Sequence, residues 1–136
     1  MVLRFALLAC LFCAASSSAI SIIDFRDVYF DAHQPLKLKD LDPPSSELNE
    51  ALGTLKHMPK VQVLVSGYAD IGEGSKADCQ EISERRALLV YEWLLANGVH
   101  SAQLVGHRGF GATQPIDFTD TEAQRRRNRR VELNVQ

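Results

Sequence analysis

The sequence is poor in cysteine, and its cysteines are unevenly placed. Only three occur in 136 residues, at positions 10, 13 and 79. The four histidines, at positions 33, 57, 100 and 107, are too scattered to give the ligand spacing of a zinc site. The sequence therefore predicts neither a metal site nor a bound cofactor.

The sequence also has little excess charge of either sign. Its formal net charge is −2, which offers no global attraction to nucleic acid. Apolar residues make up 46% of the chain and charged residues 24%, as in an ordinary globular protein. A chain of this length is long enough for one domain with a substantial core and too short for two.

The first residues differ from the rest and are typical of a secretory signal peptide. A short basic start is followed by the apolar run "FALLACLFCAA" and by the small residues "SSSA". We expect cleavage after Ala19, which gives a signal peptide over residues 1–19 and a mature domain over residues 20–136. Two alternatives stay open: residues 5–23 are kept as a membrane anchor of roughly 20 residues, or Cys10 is lipidated. After cleavage Cys79 is the only cysteine left, so we expect a free thiol.

The mature part alternates strands and helices. The predicted elements are a strand at residues 27–30, a helix capped by Ser45 or Ser46 and running to Met58, a strand from Val61 to Val65 or Ser66, a helix over "CQEISERRALLVYEWLLAN", a strand in "AQLVGHRGFG", a short helix capped near Thr119 or Thr121, and a last strand at residues 131–135. This order, β-α-β-α-β-(α)-β, predicts an α/β (α+β) two-layer sandwich with a mixed, largely parallel sheet and an antiparallel last strand.

An arginine lies on the core-facing stripe of the second helix. At 100° per residue, Arg86 falls among Ile82, Leu89, Val90 and Trp93. A guanidinium cannot lose its proton there, and burying it unpaired costs several kcal/mol, so it needs an anionic partner. The partner can be structural, such as a salt bridge to a neighbouring loop, or it can be a ligand.

Asp70 is the nearest carboxylate before this helix. It ends the strand that begins at Val61 and precedes a loop with Gly72 and Gly74, whose backbone can approach a ligand closely. Ligands tend to bind beyond strand ends, where loops meet helix starts. We therefore expect Asp70 and Arg86 to face each other across one pocket, although an aspartate at this position can also simply cap a turn.

The usual enzyme motifs are missing. The segment "GEGSK" lacks the spacer of a phosphate-binding P-loop, and "GHRGFG" is not a dinucleotide-binding fingerprint. Ser66, Ser75 and His107 could belong to a hydrolase, but no "GxSxG" turn supports one. We expect no enzyme activity.

Four motifs in order resemble one known family. "SGYADIGEG", "CQEISERRALLVYEWLLANGV", "GFGATQP" and "RNRRVEL" are similar to the C-terminal domain of outer-membrane protein A, the OmpA-like family. The resemblance extends over about residues 28–135. It departs from the family pattern in three places: Cys79 stands where the family usually has asparagine, Ile82 stands in the position of a leucine, and the loop between Asp70 and Arg86 is one residue longer.

The resemblance implies a peptidoglycan-binding domain. In the family, the residues matching Asp70 and Arg86 bind the diaminopimelate of the peptidoglycan stem peptide. The chemistry suits this ligand, because Asp70 can take its ammonium and Arg86 can bind its carboxylate through two hydrogen bonds. Such a chain tethers or positions an envelope protein at the cell wall, in the periplasm or against the outer membrane of a Gram-negative bacterium. The alternative is a module of the same fold that has lost wall binding and contacts other envelope proteins. Further residues that the resemblance places at or near the ligand site are Gly72, Cys79, Ser83, Arg125, Asn128 and Arg129.

The predicted signal peptide gives a direct test. If cleavage follows Ala19, intact-mass analysis of the protein purified from the periplasm will give a chain that begins at Ile20. A mass that retains Met1 would contradict the cleavage, and an added lipid mass on Cys10 would favour the lipidated alternative.

Overall fold

A computed structural model describes residues 23–32 and 36–136. The expected signal peptide, its cleavage site, Cys10, Cys13 and most of the alternative membrane anchor lie outside these residues. In the described part of the chain, no helix is both long enough and apolar enough to cross a membrane.

The elements follow the predicted alternation of strands and helices. The strands are β1 (Val28–Tyr29), β2 (Val63–Gly67), β3 (Leu104–Gly109) and β4 (Arg130–Val135); the helices are α1 (Ser46–His57), α2 (Lys76–Ala96) and α3 (Glu122–Asn128); short 3-10 turns lie at Leu38–Leu41, Ile71–Glu73 and Ser101–Gln103. β2 begins two residues later than predicted. The N–H of Val61 closes a turn on the carbonyl of Met58, so Val61 is not available to the sheet.

The strands form one mixed sheet in the order β1-β4-β2-β3. β2 and β3 are parallel, whereas β4 is antiparallel to both β1 and β2. The last strand is therefore antiparallel to its neighbours, as expected, but the expectation of a largely parallel sheet was wrong. The reason is that β4 inserts between β1 and β2, so two of the three strand pairings are antiparallel.

Serines set the starts of the two long helices. The side chain of Ser45 accepts a hydrogen bond from the Leu48 N–H, and that of Ser75 accepts one from the Asp78 N–H. These side chains satisfy N–H groups that have no partner within the helix. α2 ends where Gly98 takes a φ of 94°, a conformation that glycine adopts without strain. Because Ser75 caps it, α2 begins at Lys76, one turn before Cys79, where the apolar pattern alone placed its start.

The core combines α1 and α2 with the sheet. Leu48 and Leu55 of α1 are fully buried, and so are Val63 and Val65 of β2. The same cluster contains Leu89, Val90, Trp93 and Leu94 of α2. Arg86 is 2% exposed, so the structure confirms that a guanidinium lies on the buried face of this helix.

Two glycines let α2 approach the sheet closely. A Cβ at Gly67 would lie 2.0 Å from the carbonyl oxygen of Ser83, and one at Gly109 would lie 2.4 Å from the Glu84 nitrogen. Neither distance is possible for a real side chain, so α2 can pack this closely only where the strand residue at the contact is glycine. This contact fixes the position of α2 beside the end of β2.

We therefore expect Gly67→Ala to destabilise the fold. The methyl group must push α2 away from the sheet, and overpacking of this kind costs about 1–3 kcal/mol. Gly53→Ala in α1 is the matched control, because a Cβ there would meet nothing within 4 Å. It should raise stability by about 0.5–1 kcal/mol, since alanine favours a helix interior over glycine. Urea unfolding of the three proteins measures both effects; equal stability of Gly67→Ala and wild type would contradict the close approach.

Candidate ligand-binding cleft at the end of β2

Asp70 lies three residues beyond the end of β2, where its side chain begins a 3-10 turn. Its carboxylate accepts hydrogen bonds from the Gly72 N–H at 2.8 Å and from the Asn128 side-chain amide at 3.2 Å. The residue is only 3% exposed. The sequence allowed a turn-capping role for Asp70, and the structure shows that it does cap this turn.

A cleft of about 360 Å³ opens beside this carboxylate. It is lined by Ala69, Asp70, Ile71, Gly72, Ala112, Pro115, Asp117, Phe118, Thr119, Asp120, Arg125 and Asn128. Two of these side chains are large, apolar and exposed: Ile71 at 80% and Phe118 at 87%. The cleft thus has a buried carboxylate and an apolar rim.

Arg86 does not pair with Asp70; its partner is Glu73. One terminal nitrogen of the guanidinium donates to Glu73 Oε2 at 2.7 Å, and the other lies 2.5 Å from Glu73 Oε1. Both side chains are almost completely buried, at 2% and 4% exposure. The expected contact across one pocket was therefore wrong, because the 3-10 turn after Asp70 directs Glu73 back towards α2. This two-pronged geometry is the strongest form of an arginine–carboxylate pair.

The rest of the Arg86 environment is fixed by the backbone and by one ring. The same nitrogen that bonds Glu73 Oε2 also donates to the Tyr68 carbonyl at 3.1 Å. The guanidinium carbon lies 5.4 Å from the centre of the Phe30 ring, within range of a cation–π contact. Nε has no hydrogen-bond partner among the described residues. Arg86 is thus held in place from several sides and does not line the cleft.

Glu73 is also bonded to the residue that starts its own turn. Its Oε2 accepts the Asp70 N–H at 3.0 Å, in addition to the guanidinium of Arg86. One carboxylate therefore connects the backbone of Asp70 with the side chain of Arg86. Asp70 and Arg86 belong to one network, but they are joined through Glu73.

Three of the six secondary candidates line the cleft. Gly72 bonds Asp70 through its N–H, and Asn128 bonds both Asp70 and the backbone around Asp117. Arg125 donates to Asp120 at 2.8 Å and keeps 37% of its side chain exposed. Asn128 therefore joins the loop that carries Phe118 to the carboxylate of Asp70.

The other three candidates are buried beneath or beside the cleft. The thiol of Cys79 lies 3.4 Å from the carbonyl oxygen of Asp70, and burial raises its pKa. The Ser83 hydroxyl bonds the Gly111 N–H and the Gln80 carbonyl. Arg129 donates to the Phe30 carbonyl and pairs with Glu122. These three side chains stabilise the fold around the cleft and do not line it.

The arginine run after Gln124 separates into two groups. Arg126 and Arg127 are more than half exposed and pair with Asp31 and Asp117, so both lie at the surface. Arg130 is buried, and its guanidinium carbon lies 3.9 Å from the centre of the Tyr68 ring. The run is therefore not a continuous basic surface.

Sequence reasoning missed Glu73, Pro115 and the residues from Asp117 to Asp120 as parts of the site. The available signal for Glu73 was the extra residue in the loop, together with the need of Arg86 for an anion. No comparable signal existed for Phe118, because its position depends on how Asn128 holds the loop. Among the described residues, no group of three histidine, cysteine or acidic side chains is arranged to hold a metal ion.

Comparison with known proteins identifies close relatives of this chain. Peptidoglycan-binding protein ArfA of Mycobacterium tuberculosis is 35% identical over 88 residues, which is 65% of this chain and 26% of the relative. Outer membrane porin F of Pseudomonas fluorescens is 37% identical over 78 residues, which is 57% of this chain and 23% of the relative. The chain thus spans about a quarter of the length of the curated relatives it matches.

Solved structures share the fold. The peptidoglycan-associated lipoprotein from Burkholderia pseudomallei superposes with a TM-score of 0.68 at 27% identity, covering 82% of this chain and 90% of that protein. The C-terminal domain of Helicobacter pylori MotB gives 0.64 at 23% identity, covering 85% of each chain, and shows the likeness of fold alone. The OmpA family model matches residues 40–129, well over half of the sequence. This protein therefore belongs to the OmpA family.

Proposed function

We propose that this protein binds peptidoglycan non-covalently at the cleft beside Asp70, by holding the diaminopimelate residue of the stem peptide. Binding there positions the chain, and whatever it is attached to, at the cell wall in the periplasm. The chemistry is recognition without catalysis. The names of two relatives support the ligand: one is called a peptidoglycan-binding protein and another a peptidoglycan-associated lipoprotein.

The observation that carries this proposal is that the buried side chain of Asp70 has no cationic partner among the described residues. Its two hydrogen bonds come from neutral donors, an amide N–H and an asparagine side chain, and it has no cationic partner among the described residues. A buried carboxylate without a cation is unfavourable, and it retains lone pairs that can accept further hydrogen bonds. An ammonium group entering the cleft would supply both the missing charge and the missing donors. Diaminopimelate presents such a group at the end of its side chain.

The apolar rim suits the rest of this ligand. Ile71 and Phe118 expose most of their surface at the cleft. Exposed apolar side chains beside a polar pocket are typical of a binding site. The methylene chain that leads to the ammonium of a diamino acid can pack against them while the ammonium reaches Asp70.

Replacing Asp70 tests the polar part of the site. Asp70→Asn keeps the size of the side chain but removes the charge. It should weaken the binding free energy for purified sacculi by about 2 kcal/mol or more, roughly 30-fold in affinity, as measured by co-sedimentation. Asp24→Asn makes the same change of charge at an exposed residue that does not line the cleft. It should bind like wild type.

Thermal melts of both variants show whether a loss of binding is a loss of folding. Unchanged sacculus binding by folded Asp70→Asn would overturn the proposed site. If wild type itself sediments with no sacculi, whichever diamino acid their stem peptides carry, wall binding is wrong and the envelope-protein interaction module takes its place.

Replacing Phe118 tests the apolar rim. Because 87% of the residue is exposed, Phe118→Ala should leave the free energy of unfolding within about 0.5 kcal/mol of wild type. Its affinity for sacculi should still fall several-fold, since the ligand loses an apolar contact. Val105→Ala is a suitable control, because Val105 is a half-exposed residue of β3 outside the cleft. If Phe118→Ala binds sacculi as tightly as Val105→Ala, Phe118 does not contact the ligand.

A further inference from the structure

Glu73 occupies the position that a ligand carboxylate would need at Arg86. Both terminal nitrogens of the guanidinium are bonded to its carboxylate, and the pair is at most 4% exposed. The two-pronged arrangement is the one in which an arginine binds a free carboxylate ligand. In this protein the carboxylate is supplied by the chain itself.

Removing Glu73 from this position would disturb several contacts at once. Its carboxylate accepts hydrogen bonds from Arg86 and also from the N–H of Asp70, which starts the turn. A ligand carboxylate that displaced Glu73 would leave that N–H without its partner, and it would bring a second negative charge close to Glu73. Breaking a buried pair by removing one partner is strongly unfavourable. We therefore treat the pair as a fixed part of the binding-competent site.

The charge of the remaining cleft is unfavourable to an anion. Its lining includes three carboxylates, those of Asp70, Asp117 and Asp120, and one guanidinium, that of Arg125. Arg125 is already paired with Asp120, and Asp117 is paired with Arg127 outside the lining. Only Asp70 has no cationic partner among the residues that the structure describes. The open part of the site therefore favours a cation and offers no unpaired cation to a carboxylate.

From these contacts we infer that the ligand of this cleft is a primary ammonium with no free carboxylate on the same carbon. In terms of the proposed function, on which this inference rests, the preferred stem peptide carries diaminopimelate whose side-chain carboxylate is converted to a carboxamide. A lysine side chain, which has an ammonium and no carboxylate, belongs to the same class. Glu73 is the residue that sets this preference, because it neutralises Arg86 in advance.

Binding of three matched muropeptides to the full chain tests the preference directly. They differ only in the diamino acid: diaminopimelate with its free side-chain carboxylate, the same residue as the carboxamide, and lysine. Isothermal titration should show that wild type binds the carboxamide and lysine peptides at least about tenfold more tightly than the free acid, because the free carboxylate meets an uncompensated negative site. Tighter binding of the free acid would overturn the inference while leaving wall binding intact. No binding of any of the three, with no sedimentation on sacculi, would instead refute the proposed function.

A single variant assigns the preference to Glu73. Glu73→Gln keeps the shape of the side chain and one hydrogen-bond acceptor, but it removes the negative charge that neutralises Arg86. The free-acid peptide should therefore gain at least about tenfold in affinity relative to the carboxamide peptide. Glu81→Gln removes a carboxylate from the exposed pair with Arg85 on α2 and should leave the order of affinities unchanged. An unchanged order in folded Glu73→Gln would show that Glu73 does not set the preference. If that variant fails to fold, the wild-type comparison still decides the ligand class.

Discussion

The buried pair between Arg86 and Glu73 is the interaction on which the cleft depends. A guanidinium cannot be buried as a neutral group, so the fold must supply an anion on the buried face of α2. Glu73 provides it, and the same carboxylate holds the first N–H of the turn that begins at Asp70. The position of the Asp70 side chain therefore follows from the way the arginine is neutralised. This dependence explains why a loop of a few residues can carry a buried carboxylate at the edge of a cleft.

The neighbouring elements hold this pair from the other sides. Gly67 and Gly109 allow α2 to lie directly against β2 and β3, which brings Arg86 to the end of β2. Asn128, at the end of α3, joins Asp70 to the loop containing Asp117. The lining of the cleft thus comes from segments far apart in sequence. They meet because β4, which follows α3 directly, lies next to β2 in the sheet.

Much of this could be predicted from the sequence, and the errors have physical causes. The order of elements, the serine cap of α1 and the burial of Arg86 all follow from local patterns, which the structure confirms. The direction of most strand pairings was missed because pairing depends on where β4 inserts, and no local pattern encodes that. The partner of Arg86 was missed for a similar reason. Asp70 and Glu73 are both close in sequence, and only the geometry of a 3-10 turn decides which carboxylate points towards α2.

The cysteine beneath the loop has a consequence for how motion at the site can be observed. The Cys79 thiol is buried against the carbonyl oxygens of Asp70 and Gly74, and this burial raises its pKa. Because Cys79 is 2% exposed, a thiol reagent can reach it only when the structure around it opens. Comparing its rate of modification with the global free energy of unfolding therefore shows whether this region opens locally. Cys79 thus gives this protein an internal probe of opening beneath the cleft.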